Sequence, residues 1–555
     1  MNATSPSRAW LAVSLAAVLA PLSQAQTANP PGSYAQTCSN IQVSNNTLSA
    51  TCTTLSGSTQ QTRLTPLDSC LYRVMNAGDI ANIDGSLICM VDLPVQGKLK
   101  FPQAETTLND WIYSGNNQAL YEHGWNIWSG ITQPVGEVNG QRVLAFQTWA
   151  SPSALLYETG KVNKTGLQSA PGTDAHTPGT LQFVELERFK KLEQHTLKAQ
   201  AASNVGDTGI KVSVAYNPPA AAHAISNKLL YKSTLEGYLK NGYTEVPNFP
   251  NNAVTIKPVY KIVPVKSQPN LKLYTMPGWP GTPATLKAFP ESDWNACVYV
   301  ATAGNGSEAG GNSIDVGCKG ATAQSTFYLH NFIHKVLSAD EARAAGKSRQ
   351  GVAYQAGDVA ILVAMHVTTR ETRRWTWQTF WWSANPDTPF APSSAEIAKM
   401  RAKVPLGVQA SHYAMSVAYQ MVTPAQPITG GKNVGQPLYA YNPHLEAGFD
   451  PSTFQITDPA NIDVANLYLK NPDDTPKPAT PAGYGVQTNC MGCHNTAMYA
   501  PDADYYRKTA SGGKNPNLER PYTTSFYLSI DDKVFDGRLR LDFAWSLLGF
   551  MDASK

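Results

Sequence analysis

The sequence predicts a mainly β protein of the α+β class, and three observations carry that prediction. Apolar runs of strand length recur between turn residues along most of the chain. Proline, glycine and aromatic residues are abundant, with 39 Pro, 41 Gly, 12 Trp, 25 Tyr and 16 Phe among 555 residues. Few segments hold apolar residues at helical spacing. With 42% hydrophobic and 15% charged residues, the chain is long enough for about two to four domains and at least one large core. We divide it into a leader over 1–25, a β module over 26–95, a large β-rich domain over 96–470 and an irregular to helical segment over 471–555 docked on that domain. The net charge of +3 is nearly neutral at this length, and no long basic run points to a nucleic-acid partner.

The leader reads as a signal peptide. Arg8 supplies a positive start, residues 9–20 form an apolar stretch, and Ser23 and Ala25 are the small residues that precede a cleavage site before Gln26. No other stretch approaches the roughly 20 apolar residues of a membrane span. The expected location is the periplasm of a Gram-negative bacterium or the exterior, with no membrane span after cleavage.

Cysteine usage agrees with export. Six of the eight cysteines fall into three sequence-local pairs, read as Cys38–Cys52, Cys70–Cys89 and Cys297–Cys318. This is one of the 15 connectivities that six cysteines allow. In an oxidising compartment each bond contributes about 2–4 kcal/mol.

The other two cysteines stand in Cys490-Met491-Gly492-Cys493-His494. This is the C-x-x-C-H spacing for covalent attachment of a c-type haem. Two intervening residues let both sulfurs reach the porphyrin vinyl groups from one turn, and the histidine that follows lies under the iron. A structural zinc site would need four ligands, and the sequence holds no second C-x-x-C to supply them. The expectation is one haem c, attached through Cys490 and Cys493, with His494 as an axial ligand. Residues 471–488 are rich in Pro and Gly and cannot form the helix that precedes the motif in small cytochrome c domains. The haem is therefore expected to dock on the large domain, which either supplies a sixth ligand or leaves the site open. Distal candidates are His330, His334, His366, His412 and Met551, with His412 and His366 ranked first.

In the N-terminal module, Gly32-Ser33-Tyr34 and Thr37-Cys38 are followed by a second cysteine, Cys52, fourteen residues on. The run Asn82-Ile83-Asp84-Gly85-Ser86-Leu87 closes the pattern. Alternation over Ile41-Gln42-Val43 and Thr47–Thr51 reads as short strands, and Asp84-Gly85 is a hairpin-turn dipeptide. The segment resembles one repeat of the cyanovirin-N family, a β-rich lectin fold. The family uses two tandem repeats where this chain has one, and an insertion near residues 72–78 departs from its pattern. The resemblance implies affinity for a mannose-type glycan or polysaccharide, with Gln36 and Thr37 at contributing positions. The alternative is a purely structural β module.

In the large domain, strands are expected at 143–146, 212–216, 254–263, 297–300 and 359–365. Helices are expected at 180–200, after the capping box that opens at Ser338, and over 394–402. Trp375, Trp377, Phe380, Trp381 and Trp382 crowd together, and the first, second and fourth of them share strand parity. They read as core packing, a wall of the haem pocket or a sugar-stacking platform. Arg370, Arg373 and Arg374 are candidate partners for haem propionates.

No nucleophile triad, phosphate loop or metalloprotease motif is present, and catalytic residues are unknown. Three readings stay open. The first is an exported monohaem c-type cytochrome that transfers electrons to a redox partner protein, targeted to glycans by its N-terminal module. The second is a haem-dependent oxidoreductase of peroxidase or oxygenase type with an open distal site. The third is a glycan-binding protein with an auxiliary haem.

Overall fold

The computed structural model describes residues 29–54, 57–74, 79–83, 85–90, 93, 100–138, 140–162, 209–284, 288–348, 351–425, 436–448, 489–501, 529–531, 535–552 and 554. The leader, the helix expected at 180–200 and the Pro/Gly-rich 471–488 stretch lie outside these residues. The described chain is a mixed α+β structure with several separate sheets.

Its centre is a seven-stranded antiparallel sheet. Tyr413–Ala418, Thr376–Trp382, Val359–Thr369, Val254–Val263 and Ile210–Val212 follow one another across it. His334–Val336 and Ala215–Tyr216 add at its margins. Of the two long central strands, Val359–Thr369 reads as a near-continuous apolar run and Val254–Val263 is buried along most of its length despite two lysines, because the sheet is covered on both faces. Their register runs from Val254 opposite Thr369 to Val263 opposite Val359 and shifts once, between Val259 and Tyr260.

Alternation assigns side chains to the two faces. Lys257 lies opposite His366, His366 opposite Thr379, and Thr379 opposite Ser416, so these four share one face. Trp377 and Trp381, two residues either side of Thr379, share it too. The opposite face carries Phe380 and Met415, and the helix Asn117–Ile131 lies against it. Asn116 caps that helix by accepting from the Ala119 amide. Trp128 stacks on Phe380 at 4.3 Å, and the Trp128 indole N–H donates to the Ala410 carbonyl. Gly124 sits where the helix comes closest: a Cβ there would lie 2.9 Å from the Met415 sulfur.

A second sheet of four strands holds Leu273–Pro277, Ala296–Ala301, Asp315–Val316 and Thr326–Tyr328. The Cys297–Cys318 disulfide closes its intervening loop. The helices expected from Ser338 and Ser394 form as Ala339–Ala345 and Ala395–Arg401, each with that serine as its side-chain cap. Trp375 departs from the expected parity. It precedes the strand Thr376–Trp382 with a left-handed φ of 57°, so alternation relates only Trp377 and Trp381.

The N-terminal residues build a three-stranded sheet, Cys38–Ser44, Thr47–Thr53 and Thr59–Leu64, with the hairpin Asp79–Ile83 and Ser86–Met90 beside it. Cys38 lies directly opposite Cys52 and is bonded to it, and Cys70–Cys89 ties the helix Leu67–Val74 to the hairpin. Tyr34 is fully buried in this module, its hydroxyl donating to the Pro30 carbonyl. The module's core continues into Val135 and Ala145 of the following hairpin region.

No helix among the described residues is long and apolar enough to cross a membrane. Trp128 fastens the long helix to the sheet by both its ring and its N–H. Trp128→Ala should therefore lower stability by roughly 3–5 kcal/mol in urea unfolding; a loss below about 1 kcal/mol would show that the helix is held elsewhere.

Candidate functional site

Cys490–Asn495 form one short helix. Asn489, fully buried, starts it. Its side-chain oxygen accepts from the Gly492 amide, and its Nδ2 donates to the carbonyls of Gln420 and Leu438. The turn is thus fixed to the chain that follows the central sheet before its first cysteine is reached. Trp545 Nε1 and Thr496 Oγ1 both donate to the Cys493 carbonyl, which ties down its other end. The segment joins an apolar cluster with Tyr216, Phe249, Trp375, Trp377, Leu541, Leu547 and Met551.

Cys490 and Cys493 are the free cysteines, while the other six form the three disulfides read from the sequence. Both are half-buried on the same turn. Burial, with the nearby Glu446 carboxylate acting in the same direction, pushes Cys490 well up and Cys493 to about 12. At neutral pH these groups are thiols rather than the thiolates that bind zinc or attack disulfides. Among the described residues, no group of three or more His, Cys, Asp or Glu side chains gathers as a metal cage.

His494 donates from Nδ1 to the Phe543 carbonyl at 2.8 Å. That bond fixes the tautomer and leaves the Nε2 lone pair without a partner among the described residues, the arrangement that a carbonyl behind the ring imposes on metal-bound histidines. Burial is the main reason its pKa falls to about 4. His366 and Lys257 push the same way, against the Phe543 carbonyl and Glu446. The ring of Trp377 stands 4.2 Å from the imidazole.

The Phe543 carbonyl is itself held in place. Asp542 and Phe543 adopt left-handed φ values of 44° and 65°, which non-glycine residues rarely take. The buried Asp542 carboxylate accepts from Arg370 Nε at 3.0 Å and from the Phe249 amide at 2.9 Å. Arg370 is thus engaged with Asp542 and with the Thr372 carbonyl. The Arg373 amide donates to Glu105, and Arg374 reaches the Met421 sulfur.

The proposed distal groups separate. His366 Nε2 pairs with Glu446 at 2.9 Å, and Glu446 also accepts from the Asn442 amide. Through Lys257, His366 and Glu446, the polar strip on the sheet reaches the motif electrostatically. His412 lies elsewhere, against Phe327 and Trp382, with Arg401 and Asp387 nearby. His330 stacks on Tyr328, and His334 bonds to the Phe332 carbonyl. Met551 is buried in the same apolar cluster as Met491. Gln36 and Thr37 are exposed on the N-terminal module, where Asn82 donates to Thr37 Oγ1 at 3.0 Å.

Farther along the same sheet face lies a second polar group. Lys261 Nζ pairs with Glu291 at 2.7 Å, and His444 Nδ1 meets the other Glu291 oxygen at 2.6 Å. Burial alone would raise the Glu291 carboxyl, but Lys261 and His444 outweigh it and bring the pKa down to about 2. Nothing in sequence joins Lys261, Glu291 and His444, or His366 and Glu446; Lys261 and His366 come from strands of the central sheet, Glu291 from a short 3-10 turn, and His444 and Glu446 from the turn at 443–448.

The donor set fits a covalently held haem. Two thiols unused in disulfides lie half-exposed on one turn, beside an imidazole with its metal-binding nitrogen free. Compared with protein-family models, curated proteins and solved structures, the chain matches none.

Two outcomes follow. Asp542→Ala strands the buried Arg370 charge and releases the Phe543 turn, and should cost about 3–5 kcal/mol in denaturant unfolding; an unchanged midpoint would remove this role. Glu291 has a depressed pKa, so it contributes stability above its unfolded value near 4.5 and loses it as pH falls through about 2. The stability gap between the natural chain and Glu291→Gln should be about 3 kcal/mol at neutral pH and shrink between about pH 5 and pH 2. A gap independent of pH would contradict the assignment.

Proposed function

We propose that the chain is a monohaem c-type cytochrome, with haem held through Cys490 and Cys493, His494 as axial ligand and electron transfer as its activity. The observation that carries this reading is the His494 Nδ1 bond to the Phe543 carbonyl, which aims a neutral imidazole with a free Nε2. When bound, the haem supplies one-electron exchange at iron.

The chain's own residues orient and shield. Asn489 and Trp545 hold the two ends of the motif, so both thiols stay on one rigid turn. Arg370 and Asp542 hold the carbonyl that steers His494. Trp377, itself buried, packs its ring against the imidazole from the sheet side. His366 is the favoured sixth ligand. Its Nε2 is held by Glu446, the carboxylate–histidine pattern of metal ligands, which leaves Nδ1 as the nitrogen that would bind. Held by both His494 and His366, a haem would serve as a carrier rather than as an open oxygen- or peroxide-reactive centre. The three disulfides support maturation in an oxidising compartment, and a redox partner protein is the expected recipient.

The full chain should be expressed in a host that attaches haem c. The expected product keeps its pigment through acid–organic extraction, and Cys490→Ala with Cys493→Ala together release it. A colourless or extractable product refutes covalent haem. If His366 is the sixth ligand, the natural chain will be low-spin and will not bind CO, whereas His366→Ala will be high-spin and bind it. A natural chain that binds CO readily would favour the oxidoreductase reading.

A further inference from the structure

Beside the Lys261–Glu291–His444 group lies a cavity of about 150 Å³. It opens between the end of the strand Leu273–Pro277, the loop closed by Cys297–Cys318, and the residues that follow the tryptophan-rich strand. Its size matters first: a cavity of about this volume holds one six-membered ring.

The walls then set the chemistry. Trp279, Trp381, Trp382 and Phe390 line the cavity. The indole N–H groups of Trp279 and Trp382 are already spent on the carbonyls of Ala391 and Asn331, so these rings offer apolar surface. Among the described residues, His444 is the only ionisable side chain that lines it. The Lys261 ammonium is consumed by Glu291, so no cation is left to hold a carboxylate or phosphate.

His444 supplies one directed polar contact. Its side chain is only 2% exposed. Glu291 stays ionised and can only accept, so Nδ1 of His444 carries the proton between them. Nε2 meets no protein partner among the described residues and belongs to a ring that lines the cavity. With the proton on Nδ1, the Nε2 lone pair is a hydrogen-bond acceptor on a ring that lines the cavity.

We propose that this cavity binds a neutral monocyclic phenol, its ring between the indoles and Phe390 and its hydroxyl donating to His444 Nε2. Asn312, Ser313, Ser383, Asn385 and Thr388 add neutral polar atoms to the lining, but aromatic and aliphatic residues outnumber them, so a pyranose would set several of its hydroxyls against apolar walls. The proposal stands apart from the haem reading, since no residue of the C-x-x-C-H turn lines the cavity.

The test is calorimetric titration of the full, matured chain at neutral pH with 4-methylphenol, toluene, benzoate and methyl glucoside. The expected result is one-to-one binding of 4-methylphenol, about tenfold tighter than toluene, with benzoate and methyl glucoside weaker still. His444→Leu should erase the preference over toluene. Ser313 is exposed at the mouth, so Ser313→Trp should block all binding without touching the core. The proposal is overturned by no binding of 4-methylphenol, by equal affinity for toluene, by a preference for benzoate or methyl glucoside, or by undiminished binding in Ser313→Trp. Should His444→Leu not fold, the ligand series and Ser313→Trp still decide the matter.

Discussion

The pairing of Val254–Val263 with Val359–Thr369 is the constraint from which the rest of the structure follows. Side chains alternate between faces with a period of two, so this register decides which residues meet. In its first half it sets Lys257 beside His366, under the segment that carries His494. Past the single shift between Val259 and Tyr260, Lys261 lies opposite Ile361, and Lys261 reaches Glu291 from there. One displaced residue would send these cations into the apolar layer formed with the helix Asn117–Ile131. The strand-borne member of each polar group, His366 in one and Lys261 in the other, therefore rests on the correctness of one strand pairing.

Two kinds of charge burial result, and they differ in consequence. Arg370–Asp542 and Lys261–Glu291 are buried with their remaining hydrogen-bonding capacity largely filled by backbone and histidine partners. Such pairs hold geometry, and breaking one partner is costly because the other stays behind in a medium that solvates it poorly. Around the C-x-x-C-H turn the balance is reversed. Thiols and imidazole are kept uncharged by partial burial, with Lys257 from the sheet and Glu446 from the turn at 443–448 acting on them electrostatically. The first kind of group builds the frame, and the second keeps reactive side chains in their neutral forms.

Much of this was legible in the sequence. The five strand-length runs at 143–146, 212–216, 254–263, 297–300 and 359–365 all meet strands, though the first shifts two residues earlier. The serine caps at 338 and 394 open helices because a hydroxyl three residues ahead of an amide is a local, sequence-coded contact. The three disulfides follow from nearness in sequence. The helix at 117–131 leaves no clear mark in the sequence, because Trp125, Ile127, Trp128 and Ile131 have strand-like side chains whose helical state is decided by packing on the sheet. Within the site, the C-x-x-C-H turn was visible, but its supports were not. Phe543 is named by its carbonyl, Asp542 by a left-handed turn, and Glu446 by a contact across eighty positions. None of these leaves a pattern in residue type or spacing.

Trp377 packs on His494, and Trp381 walls the cavity, four positions apart on the same strand and the same face. Their separation is an even number, and that parity matters more than the identity of the residues between them. A single insertion or deletion in this stretch would rotate one indole to the far side of the sheet while leaving the other in position. The strand therefore acts as a ruler: each of the two sites can drift in composition, but neither can change its distance from the other by one residue and survive.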